Sequence, residues 1–191
     1  MARNVVVHFM RNSDTHYGLV TVIVHWVVAL SFFALFALGY WMVDLGYYDE
    51  WYKKGPDLHR SIGILLALLM VFRVIWRMQQ VKPKPLATHS QMARKASHIT
   101  HVALYVLLFV IFISGYLIST ADGRGIEVFT WFTVPSLGEL FSDQADIAGA
   151  VHKYVAYGTL GLVILHMLAA IKHHVIDKDE TLMRMLLRRK S

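Results

Sequence analysis

Apolar residues run along this chain for far longer than the one-sided stripe of a soluble helix requires. Four stretches are nearly free of charge: 15–43, 61–75 (interrupted only by Arg73), 96–121 and 154–171. About twenty apolar residues cross the hydrocarbon layer of a bilayer. The first and third stretches reach that length directly. The fourth does so if Lys153 carries its ammonium outward on its own stem, and the second if Arg60 and Arg73 both do. The pattern predicts crossing helices over about 17–43, 58–77, 96–120 and 149–174. They form one all-α integral membrane four-helix bundle, with 1–191 as a single domain.

The links between the stretches are polar and unequal. Residues 44–57 carry four acids with Lys53 and Lys54, and Pro56 and Asp57 are candidates for a helix start. The link 78–95 is basic, and Pro83 and Pro85 forbid a continuous helix there. The connection 122–149 contains the apolar run EVFTWFTVPSLGELF, expected to lie in the membrane interface. The tail segment TLMRMLLRRK alternates apolar and basic residues, as a short amphipathic helix on an anionic surface does. Of nineteen Lys and Arg, fourteen fall in the N-terminal arm, the stretch 73–95 and the tail. By the bias of positive charge toward the inner side, both termini are cytoplasmic. Trp26, Trp41, Trp51, Trp76 and Trp131 fall near the expected crossing ends, where interfacial indoles anchor. The first apolar run is too long for a cleaved signal peptide and contains His25.

Composition narrows the chemistry. A chain that is 56% hydrophobic and 17% charged does not read as a soluble domain. Its net charge of +6 follows from membrane orientation, with no nucleic-acid signal. There is no cysteine, which excludes a disulfide, a cysteine-ligated iron–sulfur cluster, a thiolate zinc site and covalent c-type haem.

Eleven histidines remain, and their depth sorts them. His152 and His166 share the fourth helix. Fourteen residues at about 100° each return the second side chain to within roughly 40° of the first, about 21 Å further along the axis. His59 opens the second helix at the level of His152. His25, His98 and His101 lie toward the level of His166, and depth does not separate His25 from His101, while His98 is closest to the surface. A single histidine in a crossing helix often does no more than bond a carbonyl. Two layers of imidazole facing one interior are instead what two bis-histidine haems need. Gly63, Gly158 and Gly161 would let backbone approach a flat macrocycle, although glycine also serves helix packing in membranes. His8, His16 and His89 sit in polar surroundings and are expected at the surface.

These residues resemble the bacterial cytochrome b561 family of small four-helix dihaem membrane proteins. The resemblance rests on His25–Trp26, the run LHRSIG at 58–63, the H-x-x-H-x-x-x-Y run from His98 to Tyr105 and the His152–His166 spacing. It extends to KHH at 172–174 and to DETLMRML followed by basic residues. It implies two haem b groups, with His25 and His166 on the inner iron and His59 and His152 on the outer one. It further implies a multi-pass protein of the bacterial inner membrane that takes electrons from periplasmic superoxide and gives them to ubiquinone. The alternative within the family is a cytochrome b subunit passing electrons between quinone and a partner dehydrogenase or hydrogenase. Under the first reading Arg60 and Lys153, each directly after an outer ligand, steer superoxide together with Lys53, Lys54 and Arg124. Pairing with haem propionates would explain the same cations. His173, one heptad beyond His166, is a candidate for a quinone carbonyl or a propionate, with His101, Ser97, Lys172, His98 and His174 near that level.

Overall fold

The structure, a computed structural model, describes residues 10–86 and 88–186. Four long helices carry it: α1 (Leu19–Met42), α2 (Trp51–Met78), α3 (Gln91–Thr120) and α4 (Gln144–Val175). All four are long and apolar enough to span a bilayer. Their apolar side chains are widely exposed, Leu30 at 65%, Ile99 at 66% and Leu165 at 64% among them. In hydrocarbon that surface is satisfied by lipid, and the helix satisfies its own backbone.

Each helix beyond the first starts earlier than the charge pattern suggests, and each early start has a visible cause. The carboxylate of Asp49 accepts from the Trp51 amide at 2.8 Å, so α2 begins at Trp51 and not at Leu58. Pro56 therefore lies inside α2 rather than at its start. As the sixth helical residue it forfeits one bond near the helix end, which is cheaper than a proline in mid-helix. Ser90 caps α3, its Oγ accepting from the Ala93 amide at 3.2 Å. Gln144 opens α4 and is almost fully buried. Its Nε2 donates to the Leu117 carbonyl at 2.9 Å, and its Oε1 accepts from the Leu140 amide at 2.7 Å.

The connection expected as an interfacial segment takes the form of an antiparallel hairpin, β1 (Ile126–Val128) and β2 (Phe132–Val134), with Glu127 opposite Thr133. It is the one departure from an all-α chain among the described residues. Ser61 of α2 holds it, accepting from the Phe129 amide at 3.0 Å and donating to the Glu127 carbonyl at 3.3 Å. Tyr116 of α3 donates to the Pro135 carbonyl at 2.9 Å and accepts from the Leu137 amide at 3.1 Å. These polar groups satisfy backbone that a loop beside apolar helices would otherwise leave unpaired.

The chain divides into two compact units. The first comprises the chain up to Val27, Met70–Leu104 and the chain from Gly161. Val22, Val24 and Met70 are its buried apolar side chains among the described residues. Asn12 joins its segments, receiving the Gly18 amide and the Thr21 hydroxyl on Oδ1 and giving Nδ2 to the Val81 carbonyl. The second comprises Val28–Leu69 and Tyr105–Leu160. Its buried apolar residues include Val28, Phe32, Leu35, Leu66 and Val128.

The expected amphipathic tail helix is only a single 3-10 turn, Met183–Met185, within the described residues. Trp26 Nε1 donates to the Met185 carbonyl at 2.7 Å and Arg184 Nη1 to the Lys84 carbonyl at 2.9 Å, so the tail follows its partners rather than its own helical period. The rest of that segment, and His8, lie outside the described residues.

Candidate functional site

In the second unit the fold brings His59 of α2 and His152 of α4 together, with ring centroids 6.2 Å apart and planes at 71°. His152 is oriented by α3: Nδ1 lies 3.0 Å from the Ile111 carbonyl oxygen and 3.2 Å from Ser114 Oγ. A carbonyl only accepts, so Nδ1 carries the proton, and the neutral ring keeps its lone pair on Nε2. Ser114 gives its own proton to the Val110 carbonyl at 2.7 Å. Two glycines press on the pair. A Cβ at Gly39 would stand 3.0 Å from His59 Cε1, and one at Gly115 would stand 3.1 Å from His152 Cε1.

In the first unit His101 of α3 and His166 of α4 make ring contact, with centroids 5.2 Å apart. His25 of α1 is engaged otherwise. Arg73 Nη2 lies 3.0 Å from His25 Nδ1. A guanidinium only donates, so Nδ1 is the acceptor here and Nε2 of a neutral ring holds the proton. Expected to extend outward to water, Arg73 turns to His25 instead, because a partly buried guanidinium needs an acceptor.

The other expected site residues are dispersed. Arg60 follows His59 in α2 and pairs with Asp57. Lys153 follows His152 and is exposed. Ser97 is exposed, with Oγ 3.5 Å from His101 Nδ1. His98 and His174 are exposed. His173 does not join Ser97 and His101; its Nδ1 lies 2.7 Å from Asp177 Oδ2 and 3.5 Å from Asp179 Oδ2. His89, expected at the surface, is half-buried in that same group, with Nε2 2.8 Å from Asp179 Oδ2. Hydrogen bonds from Lys172, and then from His173, hold the Asp177 carboxyl below its ordinary range. Burial works to raise Asp179, but bonds from Thr181 and His89 leave it lowered.

Sequence reasoning missed Gly39, Gly115, Ser114 and the turn of Arg73 toward His25. Of these, the two glycines carried a signal, the same small side chain noted at Gly63. A Cβ at Gly63, Gly158 or Gly161 would meet no protein atom within 4 Å, so close helix packing does not account for those three.

Four crossing helices with imidazoles paired inside each unit are the features of a b-type cytochrome. The chain belongs to the prokaryotic cytochrome b561 family, whose model matches residues 16–188. It is similar to cytochrome b561 homolog 2 of Escherichia coli (strain K12), at 51% identity over 175 residues, 92% of this chain and 93% of the relative. It is 29% identical over 175 residues to the probable superoxide oxidase CybB of Yersinia pestis, covering 89% of this chain and 95% of that one. Cytochrome b561 homolog 1 of E. coli is 27% identical over 173 residues, covering 87% and 94%. The protein is therefore a multi-pass electron-transfer protein of the bacterial inner membrane, and the family implies haem b.

The residues fit that group. Among the described residues, His59 Nδ1 is a buried polar atom with no hydrogen-bond partner, on a ring already turned toward another imidazole. His152 offers Nε2, and the glycines narrow the walls beside both rings.

Proposed function

We propose that the protein holds two haem b groups, one on His59 and His152 and one on His25 and His166, and passes electrons from periplasmic superoxide to ubiquinone. The observation that carries this reading is the Ile111–His152 bond, which presents Nε2 as a ligand atom and fixes the ring that bears it. His166 follows fourteen residues later on the same helix, about 21 Å along its axis, most of the way across a layer of roughly 30 Å. When bound, haem b supplies one-electron exchange between ferric and ferrous iron.

The chain's own residues do the rest. The distribution of Lys and Arg supports cytoplasmic termini, with His59 and His152 toward the periplasm. Lys153 and Arg60 follow those ligands and attract an anion, Lys153 more strongly because Asp57 offsets Arg60. For His25 to ligate through Nε2, the Arg73 guanidinium turns from Nδ1 to a propionate. His101 and Ser97 are the polar groups nearest that level for a quinone carbonyl, with His173 turned to Asp177 and Asp179 instead. Quinone takes two electrons and superoxide gives one, so two donors are consumed per quinone reduced.

A stopped-flow record of superoxide decay, with b-type absorbance followed alongside, tests the reading. Fast quinone-dependent decay with transient reduction is expected. Protein without a reducible b-type Soret band would overturn the haem assignment, and haem that superoxide does not reduce would overturn the donor assignment alone.

A second reading, an electron-transfer subunit docked to a partner dehydrogenase or hydrogenase, is favoured by one observation. Arg60, Arg124 and Lys54 are each paired with a nearby carboxylate, which weakens any field drawing superoxide inward. That reading expects co-purification of the partner and no turnover of superoxide by the isolated protein.

A further inference from the structure

We propose that His89, His173 and Asp179 form a binding site for a divalent transition-metal ion of the zinc type, separate from the haem ligands. Three separate segments bring the donors together: the link between α2 and α3 gives His89, the last turn of α4 gives His173, and the turn after α4 gives Asp179. One ligand atom from each, two ring nitrogens and a carboxylate oxygen, lies within 4.8 Å of the others. The imidazoles are tilted against each other, with centroids 4.6 Å apart and planes at 34°, and both present a nitrogen to Asp179 Oδ2.

The backbone builds this convergence. The Asp179 amide bonds the His173 carbonyl at 3.0 Å, and Lys178 adopts φ 53°, a left-handed conformation that folds the chain back on the helix end. The Asp179 side chain is 3% exposed. Two neutral nitrogens and one carboxylate are a donor set that zinc accepts, and at metal–ligand distances of about 2.1 Å the donors of a tetrahedral site stand about 3.4 Å apart. The present separations of 2.8 and 3.5 Å to Asp179 need only small adjustments. Asp177 Oδ2, now 2.7 Å from His173 Nδ1, exchanges its shared proton for the ion and supplies a fourth ligand or a counter-charge. Occupancy would clamp the tail to the α2–α3 link.

The test is equilibrium binding of zinc to the full-length, haem-loaded protein in detergent, after chelator treatment and desalting. One zinc per chain is expected, with affinity falling by more than about tenfold in His89→Gln and in Asp179→Asn. His174→Gln, at an exposed histidine, should bind as wild type does. An unchanged haem spectrum checks that each variant is folded. Zinc absorption spectra should show imidazole scattering in wild type that diminishes in His89→Gln. No saturable binding, equal affinity in wild type and both site variants, or loss of binding only in His174→Gln would each overturn the site.

Discussion

Under the proposed assignment of one haem to each unit, the two units face the same problem with different numbers of histidines. The second holds two, His59 and His152, and geometry alone pairs them: one is anchored by the Ile111 carbonyl, the other has an unspent nitrogen, and glycines stand beside both. The first has three half-buried ones at the relevant level, His98 being exposed, and contact alone joins His101 to His166 while Arg73 occupies His25. Proximity therefore points to a single imidazole pair only where candidates and positions are equal in number. Where a third imidazole competes, a neighbouring cation can decide which ring is available.

The largest test of this contrast removes one ligand from each unit. His152→Ala and His166→Ala should each lower the haem-to-protein ratio from two to one, read by pyridine haemochrome absorbance. In the first unit, His25→Ala should do the same while His101→Ala keeps both groups; the reverse result would move the ligand role to His101. A smaller effect is expected from Gly115→Leu. Its side chain enters the space of His152, costing about 1–3 kcal/mol in thermal unfolding and depleting only the haem of the second unit. The smallest belongs to Ser114→Ala. The Ile111 carbonyl still orients His152, so both haems should stay bound and stability should fall by about 1 kcal/mol or less.

Much of the fold was legible in the charge pattern. Helices α1 to α4 lie where charge is scarce, because an uninterrupted apolar run has few ways to satisfy its backbone in lipid. Their starts were less legible, since Asp49, Ser90 and Gln144 extend them into polar sequence through side-chain bonds. The hairpin at 126–134 escaped the pattern because the side chain that holds its turn, Ser61, is far away in sequence.

By itself the sequence determined the number of crossings, the absence of thiol chemistry and the one-face spacing of His152 and His166, all consequences of composition and helical period. Tertiary structure alone decided that Arg73 meets His25, that Gly39 and Gly115 flank the second pair, and that His89 leaves the surface to join His173 and Asp179. The physical reason is common to all three. Each depends on which residues of distant segments share a few ångströms, and a one-dimensional period carries no information about that.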